Sequence, residues 1–348
     1  MSAATGAAAA PTPPIARIQR WTRLSAGFTG GFGLLLVALA FVPVVMGASV
    51  VQDLTSLLTL VLLAVMWNAL AGYAGLVSIG LQAYIGLGAY ATVWFALHGF
   101  DPYLGMLLAV VFCAVVSVPL SFIVLRFRGA QFAIGTWVVA EAIGIYVSFD
   151  NQLGAGTGIS LIQLDRYSPT SREHYTYWLT LALAAFFVIS VFFLLRSRLG
   201  ASLQAIRDDE GAASSVGVRV VAGKRILFVL ASAGCGAAGA MTVANILFIE
   251  PTSIFSVNYS AFMIFMVLVG GLGTFEGPII GAIILYFIQK QFGNDGTWYL
   301  IGLGATAILF ALLLPRGIWG MVAERTGLRF LPVGYRVKRA AGAPAPDP

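Results

Sequence analysis

Ten stretches of mainly apolar residues, each close to the length that crosses a lipid bilayer, follow one another between residues 26 and 315. A membrane-crossing helix needs about 20 such residues, because its backbone groups must all be satisfied inside the segment. The stretches are roughly 26–46, 54–72, 78–98, 103–125, 129–148, 177–195, 226–248, 258–273, 277–292 and 298–315. Only 10% of the residues are charged, where about 25% is usual in soluble domains. A soluble protein of this length could not cover its surface with so few. A soluble enzyme, a disordered chain and a secreted disulfide scaffold are excluded together. The two cysteines, Cys113 and Cys235, both lie inside apolar runs and form no disulfide framework. The expected fold is therefore all-α: a polytopic membrane bundle of about ten spans.

Arg17, Arg20 and Arg23 precede the first run, as basic residues precede a signal peptide's apolar core. This run is too long for that core and nine more follow, so it reads as a retained span. Residues 1–14 and 341–348 are Ala/Pro-rich and carry no apolar period. Placing the N-terminus in the cytoplasm and alternating puts 17 of the 20 Lys and Arg residues on the inside. Only Arg166, Arg172 and Lys290 fall outside. Both termini are thus expected in the cytoplasm: an N-terminal tail 1–25, a membrane domain 26–315 and a basic C-terminal tail 316–348. The net charge of +6 reports this sidedness and not nucleic-acid binding. Two loops exceed hairpin length, 149–176 outside and 196–225 inside.

Catalytic patterns are missing. Gly217-Val-Arg-Val-Val-Ala-Gly223-Lys224-Arg225 has five residues between its glycines where a P-loop has four. Gly75-Leu-Val-Ser78-Ile-Gly80 has the wrong spacing for a serine nucleophile elbow. His98 and His174 sit near different span ends without ligand spacing, so no metal site is expected. The chain reads as a non-enzyme that binds no cofactor of its own.

Polar groups inside the spans carry more information. Glu141 lies deep in the fifth run, where a charge costs at least about 2.5–3.5 kcal/mol. It must face protein or water or be protonated, either as a structural anchor or as part of a substrate pathway. Asn68 and Gln82 pose the same choice more cheaply. Glycine concentrates in Gly72-Tyr-Ala-Gly75-Leu-Val-Ser78-Ile-Gly80, followed by Gly86 and Gly88, and in Gly270-Gly271-Leu-Gly273-Thr-Phe-Glu276-Gly277-Pro278-Ile-Ile-Gly281. Such clusters either let helix backbones approach closely or interrupt transporter helices. Gly273, Gly277 and Gly281 share a four-residue spacing and so one helical face. Pro278 lacks an amide proton, which predicts a tight break near 274–278. Against a close neighbour, leucine at 281 should be far worse than alanine.

The inside loop predicts a short helix over 202–216. Leu203, Ile206, Ala213 and Val216 recur at roughly helical spacing, Arg207, Asp208, Asp209 and Glu210 form a charged cluster, and Gly217 offers a stop. A helix of this kind outside the membrane suits docking into another protein's groove.

At this loop the chain resembles a known family. Glu210-x-Ala212-Ala213-x-x-x-Gly217 is similar to the EAA signature of bacterial ABC-importer permeases, and Leu-Gln-Ala-Ile-Arg207-Asp208-Asp209-Glu210 to the branched-chain amino-acid permeases among them. Three further blocks agree in order: Asn68 to Gly80 with Gly86 and Gly88; Leu125-Arg-Phe-Arg-Gly129-Ala-Gln-Phe132-Ala-Ile-Gly-Thr136 with Glu141 five residues on; and Gly270 to Gly281. Together they cover about residues 50–290. The extra first span and the Arg-Phe-Arg-Gly block resemble the LivM-type subunit. Where that family often has a Thr-Gly-Gly-type string, this chain has Leu153-Gly154-Ala155-Gly156-Thr157-Gly158.

The resemblance implies one permease of a pair in the bacterial inner membrane. It implies a homologous second permease, two cytoplasmic ATPase subunits that use ATP and Mg, and an extracytoplasmic substrate-binding protein. Arg207, Asp208, Asp209, Glu210, Ala212, Ala213 and Gly217 would couple to the ATPases. Asn68, Ser78, Gln82, Thr136 and Glu141 are candidates for the substrate pathway, and Gly75, Gly80, Gly273, Gly277, Pro278 and Gly281 for breaks or close packing. Urea and amide importers share this architecture. An ion-coupled secondary transporter is the remaining alternative, although Glu141 stands nearly alone as an intramembrane acid.

Overall fold

A computed structural model describes residues 17–19, 23–293, 296–314, 316–326 and 336–338. Residues 1–14 and 341–348 lie outside the described residues. The helices are α1 (Arg23–Val45), α2 (Ala48–Asn68), α3 (Gln82–Leu97), α4 (Pro102–Val124), α5 (Ala130–Ser148), α6 (Pro169–Arg196), α7 (Arg198–Asp208), α8 (Glu210–Ser215), α9 (Val220–Ile246), α10 (Pro251–Ile254), α11 (Asn258–Gly270), α12 (Gly277–Phe292), α13 (Thr297–Leu313) and α14 (Gly317–Thr326). Four strands of two or three residues accompany them. β1 (Arg17–Gln19) pairs antiparallel with β4 (Arg336–Lys338), and β2 (Ile159–Ser160) pairs with β3 (Phe248–Ile249). The second pair fastens the loop between α5 and α6 to the chain leaving α9.

Among the described residues, seven segments are long and apolar enough to cross a membrane, against the ten expected. They are Ala48–Tyr73, Pro102–Val124, Ala130–Ser148, Pro169–Arg196, Val220–Ile246, Pro251–Gly270 and Thr297–Arg325. The apolar part of α1, Gly30–Val45, falls short, and α3 and α12 have 16 residues each. The last two are short because the chain ahead of each, 74–81 and 271–276, is not regular helix. Non-helical backbone at membrane depth needs protein cover; most of 74–81 is buried, while 271–276 is mainly half-buried, with Gly271 and Phe275 buried.

The centre of the bundle is built from α2, α3, α4 and α9. In α9 the run Ala231–Ala244 is buried almost throughout and consists mainly of Ala and Gly. With no bulky side chains between them, backbones touch. A methyl on Gly88 would overlap the Gly236 carbonyl, and one on Gly236 would lie 2.6 Å from the Cys113 Sγ. This is the small-residue packing that substitutes for a hydrophobic drive inside lipid. By contrast α1 and α13 present mostly exposed apolar residues, among them Leu34, Val45, Ile308 and Leu312. That is the surface expected of helices facing acyl chains.

Residues 316–326, counted above with the tail, pack onto the bundle. Trp319 is buried, and its Nε1 donates to Glu276 at 3.1 Å.

Candidate functional site

The two glycine clusters, separate in sequence, meet in space. The helix of α2 widens into a π-turn over Ala69–Tyr73, and the chain then runs extended to Gln82. Asn68, buried at the start of this change, reaches across to the second cluster. Its Oδ1 accepts from the Gly273 amide at 2.9 Å, and its Nδ2 donates to the Thr274 carbonyl at 2.8 Å. Glycine at 72 makes the approach possible, since a methyl there would lie 2.7 Å from the Gly273 nitrogen.

The second break spans 271–276, slightly earlier than the 274–278 expected from Pro278. Pro278 falls in the first turn of α12 instead, where its missing amide proton costs nothing. Thr274 Oγ1 accepts from the Gly277 amide at 3.1 Å and so starts that helix. Gly273 lies in the break at φ +74° and does not share the α12 face with Gly277 and Gly281. The four-residue spacing is real, but the helix begins too late to use all of it. A methyl on Gly281 would already overlap the Met266 carbonyl. Alanine is therefore not the mild substitution that the spacing alone suggests.

Of the remaining pathway candidates, Ser78 and Thr136 line a small cavity of about 10 Å³ between α3, α4, α5 and α9, room for about one water molecule. Gly80 packs there directly on the Thr136 carbonyl. Gln82 is buried, and its side-chain amide lies 2.5 Å from Ser260 Oγ. Gly75, at φ +68°, ends the π-turn. These groups do not enclose one common chamber. Nor does Glu141 join them. It is exposed on α5 among Ile134, Trp137, Val138 and Ile145, and its Oε1 accepts from Trp137 Nε1 at 2.9 Å. Spacing cannot say which side of α5 packs, and Glu141 lies on the side that no other described helix of this chain covers.

The segment between α6 and α9 forms two helices where one was expected over 202–216. Asp209 adopts an extended conformation, and its carboxylate accepts from the Ala212 amide at 3.0 Å. It therefore caps α8 in place of continuing α7. Leu203 and Ile206 bury one face of α7 against Gly223 of α9, and Ala213 buries one face of α8. Ala212 and Val216 are exposed, and Gly217 stops the turn at φ +86°. The charged cluster divides. Glu210 pairs with Lys224 at 2.8 Å and with Arg128 at 3.7 Å. Arg207 points the other way, with Nη1 donating to the Gly72 carbonyl at 2.7 Å and Nε and Nη2 forking onto Asp208 at 3.2 and 3.0 Å. Sequence reasoning missed Lys224, Arg128 and Ser260, since nothing local marks a partner 14 or more residues away. In the loop between α5 and α6, Tyr167 donates to the Asp101 carboxylate, which pushes its hydroxyl pKa up to about 12.

Residues 49–315 match a protein family described as branched-chain amino acid transport system / permease component. Two curated relatives are each called high-affinity branched-chain amino acid transport system permease protein LivM, one from Salmonella typhimurium LT2 and one from Escherichia coli K12. Each is 26% identical over 326 residues, covering 85% of this chain and 76% of the relative. No solved structure matches the chain.

Proposed function

The chain belongs to the branched-chain amino acid transport permease family, and from that premise we propose that it is one permease subunit of an ATP-driven importer. It moves branched-chain or closely related amino acids across the bacterial inner membrane. The observation that carries this reading is the family match across nearly the whole membrane domain, residues 49–315.

Energy must arrive by contact, since the reading gives this chain no ATPase domain. The α7–α8 pair offers the contact surface: Ala212, Val216 and Gly217 are exposed at its outer side, next to the acidic Asp208 and Asp209. Two cytoplasmic ATPase subunits would dock there, binding and using ATP and Mg themselves. An extracytoplasmic binding protein would deliver the substrate. A ligand can shift this chain between states only by binding one of them better, and ATP-bound ATPases would supply that difference.

Glu141 supports a second permease beside α5. A carboxylate exposed on an apolar helix face at bilayer depth is costly unless something polar covers it. A homologous subunit across a shared pathway would provide that cover, placing Glu141 at the pathway wall.

The test is uptake of labelled leucine, valine, isoleucine and urea into proteoliposomes holding the assembled transporter. ATP-dependent uptake of the three amino acids and not of urea is expected. Uptake of urea alone, or amino-acid uptake that follows an ion gradient without ATP, sinks the reading. Glu141→Gln should lower flux at unchanged assembly, and unchanged flux would remove Glu141 from the pathway.

A further inference from the structure

Resting on the permease reading, we infer that Arg207 is a positioning residue that pins the cytoplasmic α7–α8 loop to both interruptions of the membrane helices. The juxtaposition is specific. The Arg207 guanidinium enters a slot formed by Gly72, Gly75 and Gly273. A methyl on Gly273 would lie 3.2 Å from Nη1, and one on Gly75 would lie 3.4 Å from the Arg207 Cγ. A methyl at 273 would require the guanidinium to give by a few tenths of an ångström, while one at 75 would lie in ordinary contact with the arginine stem.

Each end of the guanidinium has a different partner. Nη1 donates to the Gly72 carbonyl at 2.7 Å, within the π-turn of α2. Nε and Nη2 hold Asp208 on the loop, which fixes the plane of the fork. The amide of the neighbouring Gly273 is in turn held by Asn68 at 2.9 Å, so the two breaks form one hydrogen-bonded junction with the arginine at its edge. A lysine could donate to one oxygen but could not serve both partners in this plane.

The mechanical consequence follows from where α7 sits. Leu203 and Ile206 fix α7 to the start of α9, while Arg207 bonds its end to the π-turn of α2 and packs beside Gly273 of the 271–276 break. A displacement of α7 by a docked partner is therefore transmitted to the junction through one side chain. That side chain remains 38% exposed and so is free to follow the loop.

The experiment uses the assembled transporter in lipid nanodiscs and proteoliposomes, with Arg207→Ala and Arg207→Lys. For Arg207→Ala, kcat for labelled leucine uptake should fall about tenfold or more with KM within about twofold, while ATP hydrolysis continues. Amide exchange of segments 69–76 and 271–276 should rise about tenfold and lose its response to ATP. Arg207→Lys should fall between the wild type and Ala on both measures. Wild-type kcat in Arg207→Ala, or faster exchange confined to 198–216, overturns the pin. If Arg207→Ala does not accumulate, Arg207→Lys decides: wild-type kcat and exchange there overturn it equally. A wild-type assembly without ATP-dependent leucine uptake sinks the importer reading instead, and the exchange measurement on the two segments still decides the pin.

Discussion

The two interruptions of the membrane helices, 69–81 and 271–276, touch each other yet are held in opposite ways. The first borrows nearly all its partners from elsewhere. Trp67 Nε1 donates to the Ser78 carbonyl at 2.9 Å, Ser260 Oγ to the Ile79 carbonyl at 3.0 Å and Arg207 Nη1 to the Gly72 carbonyl at 2.7 Å, while Thr136 Oγ1 accepts from the Ile79 amide at 3.3 Å. The second closes largely on itself and takes its two outside backbone bonds from a single residue, Asn68. Thr274 Oγ1 donates to the Gly271 carbonyl at 2.7 Å and accepts from the Gly277 amide, and the Thr274 amide returns to Gly271 at 3.3 Å. A segment satisfied by α2, α5, α7 and α11 at once must shift whenever any of them shifts. A segment that caps itself keeps its shape and moves as a unit. The first is built to sense the bundle and the second to act as a fixed corner against it.

Glycine substitutions should not distinguish them, and they carry the largest effects. A methyl at Gly80 overlaps the Thr136 carbonyl and one at Gly281 the Met266 carbonyl, both backbone atoms that cannot swing aside. Gly80→Ala and Gly281→Ala should each destabilise by about 3 kcal/mol or more, at the upper end of overpacking effects. Membrane yield and thermal unfolding in detergent measure it. A wild-type midpoint for either variant would mean that the helices at that break do not pack backbone to backbone.

How much of this was legible in the sequence differs between the two breaks for the same reason. The second is written locally: Gly-Thr-x-x-Gly-Pro holds the turn glycines, the threonine that bonds to the start of the next helix and that helix's proline within six residues. Its position was expected to within a few residues. The first depends on Ser260, Thr136 and Arg207, between 57 and 181 residues from their partners, and no local pattern encodes such partners. The same limit hid the partners of Glu210. The sequence placed Glu210 in a charged cluster with Arg207, Asp208 and Asp209, whereas its carboxylate covers Lys224, which is only 13% exposed. Hydropathy located the spans, but not which side of α5 is bare, so the setting of Glu141 could not be read either.

Asn68 joins the breaks, and its loss should be the next largest effect. Asn68→Leu leaves the Gly273 amide and the Thr274 carbonyl without their partner inside the bundle, at about 1–3 kcal/mol for each unsatisfied group. Asn68→Asp keeps the acceptor and loses the donor, so it should fall between Leu and the wild type. Unfolding midpoints of the three proteins at one pH provide the ranking. If Asp is as poor as Leu, the bond to Gly273 contributes little and the breaks are joined by packing alone.

Thr274→Val should cost less, about 1–2 kcal/mol, typical of a lost helix N-cap. The variant keeps the volume and removes the hydroxyl that both closes the turn and starts α12. Amide exchange should quicken at Gly277 and in the first turn of α12 while 74–81 stays protected. Faster exchange spreading into 74–81 would show that the corner is not self-contained, and the contrast between the breaks would weaken.

The smallest effect is expected at Thr136, the counterpart of Thr274 at the first break. Its hydroxyl donates to the Ala133 carbonyl at 2.9 Å within its own helix and accepts from the Ile79 amide only at 3.3 Å. Hydrogen bonds of that length lie at the weak end of the range, and a single neutral bond contributes about 0.5–1.5 kcal/mol. The segment also keeps the bonds from Trp67, Ser260 and Arg207 when this one is gone. Thr136→Val should therefore cost about 1 kcal/mol or less, below Thr274→Val, although both remove one buried threonine hydroxyl. Paired unfolding curves in one detergent give the comparison directly. If Thr136→Val proves as damaging as Thr274→Val, the first break hangs on one contact as the second does. Its many distant partners would then be redundant, and it could not serve as the place where movements of several helices are combined.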